Sequence, residues 1–364
     1  MKAVLLKSPG SLSVEEIPIP KPKSDEVLLK VEACGICGSD IRYFHGEDPW
    51  SKQTLGVSKP NSPNMVLGHE FGGQIVDVGH ESLKNRIGQR VAVLAFKACG
   101  ECYYCKIGRE NLCANVKHIG HSAGWDEMRI GGYNPGGMAE YCRVWSEMAY
   151  EITDSISPAS ATLLDGLAVA IHASGKAGLK AEKGEKGIEN VLIMGSGTIG
   201  LLILQVARAF GAMFIISVDS QDKPLDVATQ LGTDAVINVH KENLEERVME
   251  LTQGRGADLV FDSVGFTFIQ SLKLLARGGR LILLAVPSHD LCFDASMLSG
   301  ERLIMSSANN SYPCFSLAIE LMANGKVKAG PIITHQFKLA DAIEAFQTAE
   351  NKDESGAIKV IINP

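Results

Sequence analysis

The apolar positions change rhythm along the chain. Over residues 1 to about 155, short runs alternate apolar and polar residues: MKAVLLK, SLSVEEIPIP, DEVLLKVEACG, GGQIVDVG, GQRVAVLAF and MAEYCRVWSEMAYEI. A period of two puts one side inside and the other outside, so each run predicts a strand. Pro18, Pro20, Pro22, Gly35 and Gly38 punctuate the early runs. Many short strands at such spacing predict a barrel or partly open sheet. At Ser157-Pro158 a capping serine precedes a proline at the first helical position. The stretch PASATLLDGLAVAIHAS then has apolar residues on helical spacing.

After a Lys/Glu/Gly loop from Lys176 to Asn190, strand-like and helix-like segments alternate. VLIMG leads into a glycine turn, the helical IGLLILQVARAFG and the strand FIISVD. A helix near VATQL, a strand DAVINV, a helix KENLEERVMELTQ, a strand ADLVFDSVG, a helix SLKLLARGG and a strand RLILLAV follow. That alternation predicts a parallel sheet covered on both faces. Beyond Val286 the elements are mixed: helix SLAIELMANG, strand PIITHQF, helix LADAIEAFQTA and strand AIKVIIN.

A length of 364 residues suits two domains. The net charge of −7 gives no basic field, so nucleic acid is not an expected partner. No apolar run approaches the roughly eighteen residues of a membrane helix. Lys7 interrupts MKAVLLKSPG before a signal-peptide core forms, so a cytoplasmic protein is expected. Nine cysteines cannot pair completely, and four of them fall between Cys99 and Cys113. Without an export signal, clustered thiols read as metal ligands before disulfides.

Three constellations carry chemistry. Gly195-Ser196-Gly197-Thr198-Ile199-Gly200 lies between a strand and an apolar helix, with Asp219 at the end of the next strand. This is the dinucleotide fingerprint: glycines admit a pyrophosphate to a helix N-terminus, and the acid takes ribose hydroxyls. A carboxylate there repels a 2′-phosphate, which favours NAD over NADP, although Lys223 lies near. Cys99, Cys102, Cys105 and Cys113 can close a tetrahedron around a structural zinc; free or disulfide-bonded thiols and an iron–sulfur cluster are the alternatives. Cys37, His69 and an acid, on turns between strands, would make a three-ligand site with an open position. Taken alone, a single Cys and a single His in an apolar protein are more often packing. Cys34 sits on an alternating strand and is expected to face the core.

Together these residues resemble the zinc-dependent medium-chain dehydrogenase/reductase family. The motif Gly68-His69-Glu70-x-x-Gly73-x5-Gly79 matches its zinc signature, and Cys37-Gly38-Ser39-Asp40, the cysteine lobe and the glycine turn occur in its order. The ending PIITHQFKLADAIEAFQ looks most like the polyol branch, that of sorbitol and galactitol-phosphate dehydrogenases. The resemblance implies an α/β protein: a GroES-like, partly open β-barrel catalytic domain (1–157 and 300–364) and a Rossmann doubly wound parallel sheet (158–299), with substrate in the cleft between them.

It further implies two zinc ions per chain and NAD. Cys37, His69 and Glu70 would serve the catalytic zinc, with Asp40 orienting His69 and Ser39 relaying the substrate proton. Asp165-Gly166 stands where polyol and threonine dehydrogenases have Glu-Pro. The shorter aspartate ligates directly only if its helix sits closer, and otherwise acts through water. Arg42 replaces the family's second relay histidine, so the proton would leave through His45 or through the cofactor ribose. Val286 would pass near the nicotinamide. Trp50, His118, His121, Trp125, Asn309, Asn310 and Tyr312 are candidates for substrate contact, although an ordinary loop role is the favoured reading of the first four. The implied activity is hydride transfer between a polyol or other secondary alcohol and NAD, in a homodimer or homotetramer. Alternatives are an amino-alcohol dehydrogenase of the threonine type and a non-catalytic nucleotide-binding protein.

Overall fold

The computed structural model describes residues 1–59, 64–121, 135–179, 190–285 and 290–364. They form two compact units. The first comprises Met1–Asp165, Ser311–Ala323 and Ile333–Pro364; the second comprises Gly166–Asn310 and Asn324–Ile332. The first crossing falls inside the helix Leu164–Lys176, shortly after Pro158.

The first unit contains β1 (Lys2–Ser8), β2 (Ser11–Glu16), β3 (Glu26–Ile36), β4 (Met65–Val66), β5 (Glu70–Val78), β6 (Arg90–Val93), β7 (Phe96–Lys97), β8 (Lys117–His118), β9 (Tyr141–Trp145) and β10 (Ala149–Glu151). The second contains β11 (Asn190–Met194), β12 (Phe214–Asp219), β13 (Ala235–Asn238), β14 (Ala257–Asp262), β15 (Leu275–Leu283) and β16 (Leu303–Ser306). The closing strands β17 (Ile333–Lys338) and β18 (Lys359–Asn363) return to the first unit.

In the first unit, a seven-stranded sheet runs β10-β6-β5-β3-β18-β17, with β9 also on β3. β3 organises it. Its early residues pair with β9 and its last residues with β18, while β5 follows it almost end to end. The register sets Gly35 opposite Glu70 and also opposite Ile361. The ends of β5, β3 and β18 therefore meet at one place, and this junction positions the site described below. The alternation read from sequence appears as burial of Val27, Leu29, Val31 and Ala33 on β3, and Cys34 is fully buried as expected.

The second unit is a six-stranded parallel sheet in the order β13-β12-β11-β14-β15-β16. This is the doubly wound arrangement, whose order reverses between β11 and β14 and places ligands at the strand carboxyl ends. The central strand β11 is buried at every residue, as a sheet covered on both faces requires. One expectation fails locally. The helix expected over SLKLLARGG ends at Lys273, and LARGG belongs to β15. Ala257 pairs with Leu275, the register then shifts, and Leu259 pairs with Arg280. Gly278 adopts φ +72° within this irregularity, so the glycine pair accommodates a bulge rather than ending a helix.

Candidate functional site

Cys37-Gly38-Ser39-Asp40 lies on a helix start, not on the turn expected from sequence. Cys37 is the N-cap of the helix Gly38–Phe44. Asp40 at the third helical position accepts from the Cys37 N–H at 2.8 Å, which satisfies a donor the helix cannot reach. This cap fixes the thiol, and Asp40 itself is fully buried. The ligand atoms of Cys37, His69 and Glu70 all lie within 4.8 Å of one another.

His69 shows one ring nitrogen to each neighbour. Its Nδ1 is 3.6 Å from Asp40 Oδ1, and its Nε2 is 3.4 Å from Ser39 Oγ. Burial opposes charge on this imidazole, but the Asp40 carboxylate, supported by Cys37, holds its pKa well above the ordinary histidine value. His69 Nδ1 and Asp40 Oδ1 are buried without a hydrogen bond of normal geometry. The donor set of thiolate, imidazole and carboxylate suits zinc, so these residues fit the metal that the sequence implies.

Glu70 is paired with Lys359, in an ion pair in which both residues are buried. Lys359 also donates to the Ile36 carbonyl at 3.2 Å. Gly35 makes the space: a Cβ there would come within 2.5 Å of the lysine Cε. Sequence reading missed Lys359. Its signal was a lone cation in the otherwise apolar run AIKVIIN.

His121 reaches the site because Gly120 does. Gly120 has φ +87°, and a Cβ there would stand 2.2 Å from the Gly68 carbonyl oxygen. Only glycine permits that backbone approach, and it sets the His121 ring 5.5 Å from His69. Burial, together with the charge on His69, holds the imidazole pKa of His118 well below the ordinary value; burial, then His118 and His69, does the same for His121.

The four cysteines of the lobe converge as their spacing predicts. Cys102 and Cys105 sulfurs are 3.4 Å apart, Cys113 and Cys99 3.5 Å, and Cys99 and Cys105 3.9 Å. A disulfide needs about 2.05 Å. A tetrahedron with zinc–sulfur bonds of about 2.3 Å has edges of about 3.8 Å, which these separations match. Backbone N–H groups of Glu101 and Cys102 lower the Cys99 pKa to about 6, whereas burial, then Cys102, raises that of Cys105 to about 12.

In the second unit, Gly195 (φ +88°) turns the chain out of β11, and Gly197 caps the helix Thr198–Ala209 without a side-chain hydrogen bond. A Cβ on Gly200 would stand 1.9 Å from the Gly195 carbonyl oxygen, so this glycine lets helix and turn close together. Asp219 accepts from Ser196 N at 2.8 Å and from Gln221 N at 3.0 Å. The acid is thus tied to the glycine turn itself.

Two family models match this chain: the alcohol dehydrogenase GroES-like domain over residues 23–154, and the zinc-binding dehydrogenase domain over residues 198–324. D-arabitol-phosphate dehydrogenase of Enterococcus avium is 34% identical across 100% of the chain and 97% of its own length. The chain belongs to the zinc-binding dehydrogenase family. L-threonine 3-dehydrogenase of Bacillus licheniformis is 31% identical, covering 99% of each. An Escherichia coli CFT073 dehydrogenase complexed with NADH superposes with a TM-score of 0.86 at 30% identity, covering 100% of this chain and 99% of its own. A zinc-binding dehydrogenase from Sinorhizobium meliloti 1021, described as putative and bound to NADP, has the same TM-score, identity and coverage.

The remaining candidate residues of this zinc-binding dehydrogenase are placed as follows. Asp165 lies in the first turn of the helix Leu164–Lys176 and is not in the group of ligand atoms within 4.8 Å. Arg42 is forked onto Glu47 at 2.9 and 2.6 Å, and His45 meets Glu350 at 2.5 Å. Tyr312 stacks on Phe96 and accepts from Ala98 N at 2.9 Å, one residue before Cys99. Asn310 is fully buried and Asn309 has φ +57°. Val286 and Trp125 lie outside the described residues.

Proposed function

We propose that this chain transfers a hydride between a polyol or other secondary alcohol and NAD, with one catalytic and one structural zinc. The observation that carries the reading is the Cys37, His69 and Glu70 donor set, with the Ser39 hydroxyl 3.4 Å from His69 Nε2. Zinc at that set supplies Lewis-acid polarisation of the alcohol oxygen. The chain's own residues do the rest. Asp40 fixes the orientation of the His69 ring from its Nδ1 side. Ser39 Oγ, 3.4 Å from His69 Nε2, relays the proton that the alcohol loses, accepting it as its own hydroxyl proton passes on to the cofactor ribose or His45. Lys359 pairs with Glu70 and balances its charge. Asp165 acts, in this reading, only through water.

The glycine turn from Gly195 to Gly200 and the N-terminal N–H groups of the helix Thr198–Ala209 take the pyrophosphate. Asp219 accepts from the ribose hydroxyls and repels a 2′-phosphate, which supports NAD over NADP. Cys99, Cys102, Cys105 and Cys113 leave no open position, which assigns them a purely structural ion. The L-threonine dehydrogenase relatives support a threonine-type activity as the second reading.

The reading is tested by initial rates of NADH formation over polyols, their phosphates, secondary alcohols and L-threonine. Cys37→Ala and His69→Ala should abolish turnover while NADH still binds. Retained turnover in metal-free His69→Ala protein would sink it. We further propose a cytoplasmic homodimer or homotetramer, to be checked by light scattering; among the described residues no helix is long and apolar enough to cross a membrane.

A further inference from the structure

Next to the donor set stands a cluster of ring nitrogens that the chemistry above does not use. His118 and His121 are only 4% and 6% exposed. His118 Nε2, His121 Nδ1 and Trp50 Nε1 are buried, and among the described residues none has a hydrogen-bond partner. The rings form a row. His121 lies edge-on to His69 at 5.5 Å, His118 follows His121 at 4.1 Å, and Trp50 meets His118 edge-on at 5.5 Å. Tyr43 stacks on His121 at 5.2 Å and Phe96 flanks His118 at 5.6 Å. The ring faces are thus gripped by aromatic neighbours, while these nitrogens are left over.

Buried polar atoms are normally paired, and each that is not requires an explanation. Packing alone does not supply one, because phenylalanine would fill the same space without stranding a nitrogen. The row starts at His69, so its successive members stand successively further from the donor set. Indole N–H is a donor only. A neutral imidazole nitrogen is a donor or an acceptor according to its tautomer, and a hydroxyl can meet either. The aromatic surroundings suit a neutral hydroxylated chain better than a charged head group.

We propose that Trp50, His118 and His121 are specificity-determining groups that hydrogen-bond the hydroxyls flanking the reacting carbon of a polyol. This rests on the dehydrogenase reading above and narrows its substrate: a monohydric alcohol leaves the nitrogens unpaired and is disfavoured, as sites built to bind a hydroxyl reject analogues without it.

The test compares wild-type holoenzyme with His118→Phe, His121→Phe and His121→Gln, using D-arabitol, glycerol and isopropanol as substrates. In each Phe variant the ratio of kcat/KM for D-arabitol to that for isopropanol should fall by about 10- to 100-fold, mostly through KM. His121→Gln, which keeps a donor and an acceptor, should recover part of the loss. An unchanged ratio, or equal losses on D-arabitol and isopropanol, would overturn the proposal. A second measurement needs neither turnover nor a folded variant. Adding D-arabitol to 15N-histidine-labelled wild-type protein should shift two imidazole spectra that isopropanol leaves in place. No shift in any imidazole overturns the proposal. A wild-type enzyme that oxidises no alcohol but still shows the shifts overturns the dehydrogenase reading and leaves the recognition role standing.

Discussion

Replacing Lys359 by methionine removes one half of the buried pair with Glu70 and keeps most of its volume. Both partners are almost fully enclosed, at 2% and 4% exposure. The Coulomb attraction of contacting unit charges at an effective dielectric of 20 is about 4 kcal/mol. Breaking a buried pair from one side costs about 3–5 kcal/mol, chiefly because the remaining charge is stranded. Here the stranded carboxylate would also share its surroundings with Asp40, which is fully buried, so the upper part of that range applies. The hydrogen bond from Lys359 to Ile36 O is lost as well. Urea unfolding of protein freed of metal at Cys37, His69 and Glu70, but keeping that of the cysteine lobe, should therefore show Lys359→Met destabilised by about 4 kcal/mol, since a bound cation would itself neutralise the carboxylate. The double variant Lys359→Met with Glu70→Gln removes the stranded charge and should recover at least half of the loss. A cost below about 1 kcal/mol, the size of an exposed pair, would refute the reasoning. So would a double variant no more stable than Lys359→Met alone.

Three further outcomes follow from the same geometry. In protein stripped of metal, the exposed Cys99 should be the first thiol alkylated by iodoacetamide. Its pKa of about 6 means that the rate climbs through pH 6 as thiolate forms and levels off above it, whereas Cys105, at about 12, stays protonated and slow throughout. Cys105→Ser should cost one metal equivalent per chain, read by elemental analysis, and lower the unfolding midpoint; closed zinc sites contribute on the order of 10 kcal/mol in small peptides. Asp219→Ser should raise the NADP-to-NAD ratio of kcat/KM by about 10- to 100-fold, as removal of a like charge allows. It should also weaken NAD binding, because the anchor of Ser196 N is lost with it.

The parts legible in sequence are those whose chemistry is local. Cys99 to Cys113 and Gly195 to Gly200 carry their partners within a few residues, so spacing alone defines them. The parallel sheet was legible for a related reason, since each strand and its following helix announce themselves by period. What escaped was contact between distant segments. The LARGG stretch reads as helical because Leu and Ala favour it, but pairing with β14 claims it for the sheet. Gly120 looks like any loop glycine until it is seen against the Gly68 carbonyl, and that approach brings His121 beside His69. Glu70 and Lys359 are 289 positions apart, and no periodicity joins them.

Even so, the ion pair left a trace. AIKVIIN is apolar on both faces apart from one lysine, and the strand it forms is buried at Lys359, Val360, Ile361 and Ile362 alike. A cation inside such a strand breaks the pattern that makes the strand. Burial of an unpaired ammonium is too costly to persist, so the violation itself requires a carboxylate at the same depth. Departures from local consistency concentrate at functional sites. By that rule the lysine pointed to an acid beside the site, and Glu70, next to His69, is the acid that the register of β5, β3 and β18 delivers to it.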